Sequence, residues 1–130
     1  MAPPAPSSVS PTVLVVDDDR GIRESVTEAL AYEGYRVIEA SDGLEALRHL
    51  DHLADRCVVL LDLAMPRMNG FEVLSELSRR GRTDRTPVVV MSANVQPDAL
   101  DYPHVVGVLP KPFELDDLLR WVELCSRPAG

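Results

Sequence analysis

Positive charge is scarce in this chain. Thirteen Lys and Arg stand against 21 Asp and Glu, a net charge of −8. A nucleic-acid surface needs basic side chains to neutralise phosphates, so no nucleic-acid partner is expected. The one concentration of cations, Arg79, Arg80, Arg82 and Arg85, reads as a solvated helix end and loop. Cysteine is scarce too. Cys57 and Cys125 are too few for a disulfide framework and do not make a zinc site. Cys57 opens an apolar run and reads as a small core hydrophobe. No apolar stretch is long enough to span a membrane. The N-terminus lacks the basic patch and apolar stretch of a signal peptide. The default expectation is a cytoplasmic protein with no membrane partner.

What is present fits one globular domain. The chain has 130 residues, 45% of them apolar and 26% charged, enough for one core and too short for two. Residues 1–11 are mostly Pro, Ser and Ala. They bury too little to offset their ordering entropy and are expected to be a disordered tail. Residues 12–125 form the expected domain, and 126–130 a frayed end. The initial Met points to a true N-terminus, whereas the C-terminal end is open to being a boundary within a longer chain.

Short β-branched runs alternate with segments of helical spacing. The runs are Thr12–Val16, Tyr35–Glu39, Cys57–Leu61, Pro87–Met91 and Val105–Leu109. The first, third and fourth are nearly all aliphatic, as strands buried on both faces should be. Apolar stripes fall at Ile22, Val26, Ala29 and Leu30, then at Leu44, Leu47, Leu50 and Ala54. Further stripes fall at Val73, Leu74 and Leu77, and at Leu115, Leu118, Leu119 and Val122. Asp42 with Glu45 has the capping-box spacing, and Asn69 suits an N-cap. Repeated strand–helix alternation predicts an α/β domain: a doubly wound parallel sheet with helices on both faces.

Ligands of such folds gather at the carboxyl ends of the strands. The first run is followed by Asp17, Asp18 and Asp19, the third by Asp62, the fourth by Ser92 and the fifth by Lys111. Carboxylates held together repel, so such a site must gain a cation or raise a pKa. Hard oxygen ligands favour Mg²⁺. A divalent ion, a lysine and a hydroxyl around a free carboxylate make a site for a phosphoryl group, with one carboxylate as nucleophile. Each piece also has an ordinary reading. Asp17–Asp19 can simply cap a helix, Ser92 can be a turn serine, and Lys111 a surface lysine. Lys111 is, however, the one lysine beside twelve arginines. Asp62 is harder to dismiss, because an unpaired buried carboxylate is costly.

The pieces VLVVDDD, LLDLAMPRMNG, VVVMSA and LPKPF, in this order and spacing, resemble the signatures of response regulator receiver domains of two-component systems. The resemblance covers residues 12–125. It implies a five-stranded, flavodoxin-like sheet of order 2-1-3-4-5. It implies that Asp62 accepts a phosphoryl group from a phosphohistidine on a sensor histidine kinase or a histidine phosphotransfer protein. It also implies a Mg²⁺ site of Asp17, Asp18, Asp62 and the backbone carbonyl of Ala64, with Asp17 bound directly or through water. Ser92 and Lys111 would contact the phosphoryl oxygens, and the Lys111–Pro112 bond would be cis. The domain would be no enzyme beyond its own phosphorylation and dephosphorylation.

The sequence departs from the family pattern at Val108, where many receivers carry an aromatic switch residue. Pro97 and Pro103 limit any helix between the last two runs to Asp98–Tyr102. Pro110 before Lys111 resembles stand-alone or kinase-associated receivers. No effector domain is expected after the last helix, so the signal is expected to leave through a surface. The expected route is a shift of the Ser92–Lys111 segment and the last helix, where Trp121 lies at the edge of the apolar stripe and Leu124 nearly opposite. A second copy or a downstream protein would bind there. Two other classes remain open: a metal-dependent phosphohydrolase, from the D-x-D spacing of Asp17 and Asp19, and a receiver-shaped interaction module that is never phosphorylated. An EF-hand fails because Gly21 comes one position early. His49, His52 and His104 are expected at the surface, and Met65, Met68 and Met91 in packing roles.

Overall fold

The computed structural model describes residues 11–53, 56–65, 67–81, 85–93, 101–102 and 104–126. Pro11 is buried, and the rest of the N-terminal tail and residues 127–130 lie outside the described residues. Nine elements follow in order among the described residues: β1 (Thr12–Val16), α1 (Arg20–Tyr32), β2 (Val37–Ala40), α2 (Gly43–Asp51), β3 (Cys57–Asp62), α3 (Gly70–Arg79), β4 (Val88–Ser92), β5 (Val105–Pro110) and α4 (Leu115–Ser126). The strands form one parallel sheet of order β2-β1-β3-β4-β5. This is the doubly wound, flavodoxin-like arrangement expected from the sequence.

Period-two alternation sends successive side chains to opposite faces, so the sheet carries two cores. Leu14, Val16, Val59, Leu61 and Val90 pack against Leu47 and Leu50 of α2 and Leu74 and Leu77 of α3. Val13, Val15, Val58, Leu60 and Met91 pack against Val26 and Leu30 of α1 and Leu118 and Val122 of α4. The central strands β1, β3 and β4 are almost wholly buried, which explains their unbroken aliphatic runs. Each is closed by an acid or a serine only where the strand meets the carboxyl edge.

Some sequence expectations need correction. Strand β2 begins at Val37 rather than Tyr35, because the Tyr35 N–H donates to Leu30 O and belongs to the turn after α1. Leu44 and Leu115 are exposed rather than core residues. Each lies in the first turn of its helix, where Gly43, Ala46 and Leu47 in α2, and Leu118 in α4, take the inward face. His104 is not at the surface: it is 2% exposed, with its ring against Tyr102. Burial pushes its pKa below the ordinary histidine value. At α2, Asp42 does cap Glu45 N–H, but the Glu45 carboxylate returns to Ser41 N–H rather than to that of Asp42. The full capping box forms at α3, between Asn69 and Glu72. Ala54 and most of the helix expected over Asp98–Tyr102 lie outside the described residues.

Candidate functional site

The site sits where the strand order reverses, between the carboxyl ends of β1 and β3. Five consecutive register pairs hold these strands together, from Thr12 with Cys57 to Val16 with Leu61. The residues after the last pair, Asp17 and Asp62, therefore emerge side by side. Asp17 is fully buried and Asp62 is 5% exposed, while Asp18 faces solvent. One carboxylate oxygen from each of the three lies within 4.8 Å of the others.

Three neighbours fix this cluster. The Asp17 Oδ1 accepts the Asp19 N–H at 2.9 Å, which folds the chain back after β1. Lys111 Nζ donates to Asp17 Oδ2 at 2.7 Å and lies 3.6 Å from Asp62 Oδ2. The Ala64 N–H donates to Asp62 Oδ1 at 3.1 Å. Lys111 is held by its backbone, whose N–H donates to Ser92 O at 2.8 Å. The Lys111–Pro112 peptide is cis. Ser92 is the last residue of β4, buried one strand away from Asp62. A cleft of about 750 Å³ opens on the other side of Lys111, between Ile22 of α1 and Phe113.

The electrostatics follow from burial. Desolvation, with the negative charge of Asp17 second, raises the Asp62 carboxyl to about 6. The Ala64 N–H and Lys111 pull the other way and do not cancel the rise. Burial works against the Lys111 ammonium, but the hydrogen bond and charge of Asp17, with Asp62 behind, outweigh it and hold its pKa above the ordinary lysine value. Lys111 thus meets two of the three clustered carboxylates. Such a donor set suits a hard divalent cation.

The aspartate run divides its labour. Asp17 and Asp18 join the cluster, whereas Asp19 is exposed and N-caps α1 by accepting from Ile22 N–H at 3.1 Å. The D-x-D pair of the phosphohydrolase reading is therefore not assembled. Sequence reasoning missed Arg23. Its Nη1 donates to Asp17 O at 2.8 Å, and its Nε reaches Glu39 Oε1 at 3.3 Å. It also missed the pairing of Arg67 with the buried Asp42. No local spacing marks either contact.

The sequence profile of the family described as "Response regulator receiver domain" matches residues 13–123. The chain belongs to the response regulator receiver family. It is 40% identical over 121 residues to the response regulator MprA of Mycobacterium tuberculosis, covering 85% of this chain and 48% of that protein. The receiver chain thus spans about half the length of the curated relatives it matches. Among solved structures it resembles the chemotaxis protein CheY4 of Vibrio cholerae, with a TM-score of 0.79 and 30% identity, covering 89% of this chain and 98% of that one. It also resembles the response regulator TrrA of Thermotoga maritima, solved in complex with Mg²⁺ and BeF, with a TM-score of 0.75 and 30% identity over 88% of this chain and 98% of that one. No helix among the described residues of this receiver is long and apolar enough to cross a membrane.

Proposed function

We propose that this receiver accepts a phosphoryl group on Asp62 in a Mg²⁺-dependent reaction and serves a two-component pathway in the cytoplasm. The observation that carries this reading is the convergence of Asp17, Asp18 and Asp62 within 4.8 Å, with Lys111 Nζ against two of them. The donor is a phosphohistidine on a sensor histidine kinase or a histidine phosphotransfer protein. An Asp62 carboxylate oxygen attacks phosphorus, the P–N bond breaks, and the departing imidazole keeps the electron pair. The structural relative solved with Mg²⁺ and BeF supports the cation.

Asp17, Asp18, Asp62 and the Ala64 carbonyl would hold Mg²⁺, which when bound neutralises charge on the phosphoryl oxygens. Lys111 and Ser92 contact the remaining oxygens. Asp62 must be ionised to attack, and a carboxyl raised to about 6 is mostly ionised at neutral pH. The Ala64 N–H fixes which oxygen faces the incoming phosphorus by occupying the other. Lys111 leaves Asp17 in part to meet the new charge, and Ser92 is drawn with it. The signal leaves through the Ser92–Lys111 segment and α4, where Val106 and Leu124 are exposed, toward a downstream protein or a second copy. Val108 offers no aromatic relay, so loop repositioning transmits the change.

The test is incubation with a small acyl phosphate. The parent gains one phosphoryl group in Mg²⁺ and none in chelator. Mg²⁺-independent labelling would remove the cation from the reading.

A further inference from the structure

The acceptor loop is fastened to a helix that takes no part in the site. Asp42 is 3% exposed, and both of its carboxylate oxygens are engaged. Its Oδ1 accepts the Glu45 N–H that starts α2, at 2.9 Å, and its Oδ2 pairs with the Arg67 guanidinium. The capping hydrogen bond, ahead of the nearby guanidinium charge, holds its carboxyl below the usual range against the opposing effect of burial. Arg67 lies in the loop between β3 and α3, with φ 65, the one non-glycine residue in the left-handed region among those described. That conformation is unfavourable for an arginine, so something must hold it. The partner on hand is the buried carboxylate.

The same loop is packed at two further points. A Cβ on Gly43 would stand 2.7 Å from Met68 O, so the start of α2 touches the loop backbone. A Cβ on Gly70 would stand 2.7 Å from Asp62 O, and Gly70 N–H donates to Leu63 O at 3.0 Å. Fastened points therefore stand on both flanks of the loop: Arg67 and Met68 against the start of α2, and Leu63 against Gly70, next to Ala64, whose N–H bonds the acceptor carboxylate.

We propose that the Arg67–Asp42 pair is a latch that positions the acceptor loop, making Arg67 and Asp42 positioning residues for Mg²⁺ binding and phosphoryl acceptance. This rests on the reading of Asp62 as acceptor with Ala64 beside it. The latch holds the left-handed turn at Arg67, the turn sets the path of residues 63–65, and that path sets where the Ala64 amide and carbonyl stand relative to Asp62. Groups that orient metal ligands without touching the ion characteristically change its affinity.

Three single variants and one double variant of the chain test it: Asp42→Asn, which keeps the α2 cap, Arg67→Gln, Arg67→Lys and Asp42→Asn/Arg67→Gln. Mg²⁺ affinity is read by calorimetry, Ala64 amide exchange by NMR without metal, and global stability by urea unfolding. Asp42→Asn and Arg67→Gln should each weaken Mg²⁺ binding about 3- to 10-fold and speed Ala64 exchange. The double variant should be no worse than the poorer single, because both remove one interaction. Arg67→Lys should recover most of the affinity. Parent-like affinity and Ala64 exchange in both uncharged variants, or losses that multiply in the double, would overturn the latch. So would changes that merely follow global stability. A parent that binds no Mg²⁺ would sink the receiver chemistry, while Ala64 exchange still decides the latch.

Discussion

Lys111 Nζ lies 2.7 Å from the fully buried Asp17 and 3.6 Å from Asp62, so one ammonium balances two carboxylates from neighbouring strands. Removing one partner of a buried pair leaves a charge without compensation, which destabilises more than the pair itself stabilises. Lys111→Met should therefore lower the stability of the metal-free protein by about 2–3 kcal/mol. Millimolar Mg²⁺ should restore most of that loss by supplying the missing positive charge. Lys111→Arg should fold but lose the response to phosphorylation, since a planar guanidinium does not fit the space of an ammonium. Urea unfolding with and without Mg²⁺ reads the first effect. Equal stability of Lys111→Met and parent in both conditions would contradict it.

The raised Asp62 carboxyl makes a pH prediction. Its folded pKa, about 6, stands above the ordinary value of 3.8. The unfolded chain therefore releases this proton first, and the fold is penalised as pH rises through about 6. Asp62→Asn should remove that penalty. Relative to parent, the metal-free variant should gain about 1 kcal/mol between pH 5 and pH 8, after allowance for solvent screening. Mg²⁺ should shrink the gap, because the ion stabilises the ionised parent. A pH-independent difference between the two proteins would show that desolvation of Asp62 does not matter.

Gly107 tests the seat of α4. Strand β5 carries an irregularity between its first two register pairs, and a Cβ on Gly107 would stand 2.2 Å from Trp121 Cη2. Close approach of another group is a common reason for glycine inside a strand. Gly107→Ala should push the Trp121 ring toward water, red-shift its fluorescence and lower stability by about 1–3 kcal/mol. Adding Trp121→Leu should recover part of the loss. Unchanged emission in Gly107→Ala would mean that the ring does not rest on that backbone.

The carboxyl edge was readable because parallel strands convert a sequence pattern into a place. Asp17, Asp62, Ser92 and Lys111 each follow or close a β-branched run, and parallel pairing must bring such residues to one side. The fixers of that edge were not readable. Arg67 and Asp42 are 25 residues apart, and only the packing of α2 against the β3–α3 loop joins them. Arg23 looks like any arginine on an exposed helix turn until the chain folds back and offers it the Asp17 carbonyl. Leu44 and Leu115 misled because periodicity assigns a stripe to a whole helix, whereas a first turn can overhang the sheet. His104 misled because a residue between two prolines and a strand reads as loop, though the sheet end there is covered.

The most direct measurement is intact mass after incubation with a small acyl phosphate and Mg²⁺, on parent and on Asp62→Asn. The parent should gain one phosphoryl group, labile to alkali as an acyl phosphate is, and the Asn variant none. Equal labelling of Asp62→Asn, or no labelling of a folded, Mg²⁺-bound parent, would contradict the account.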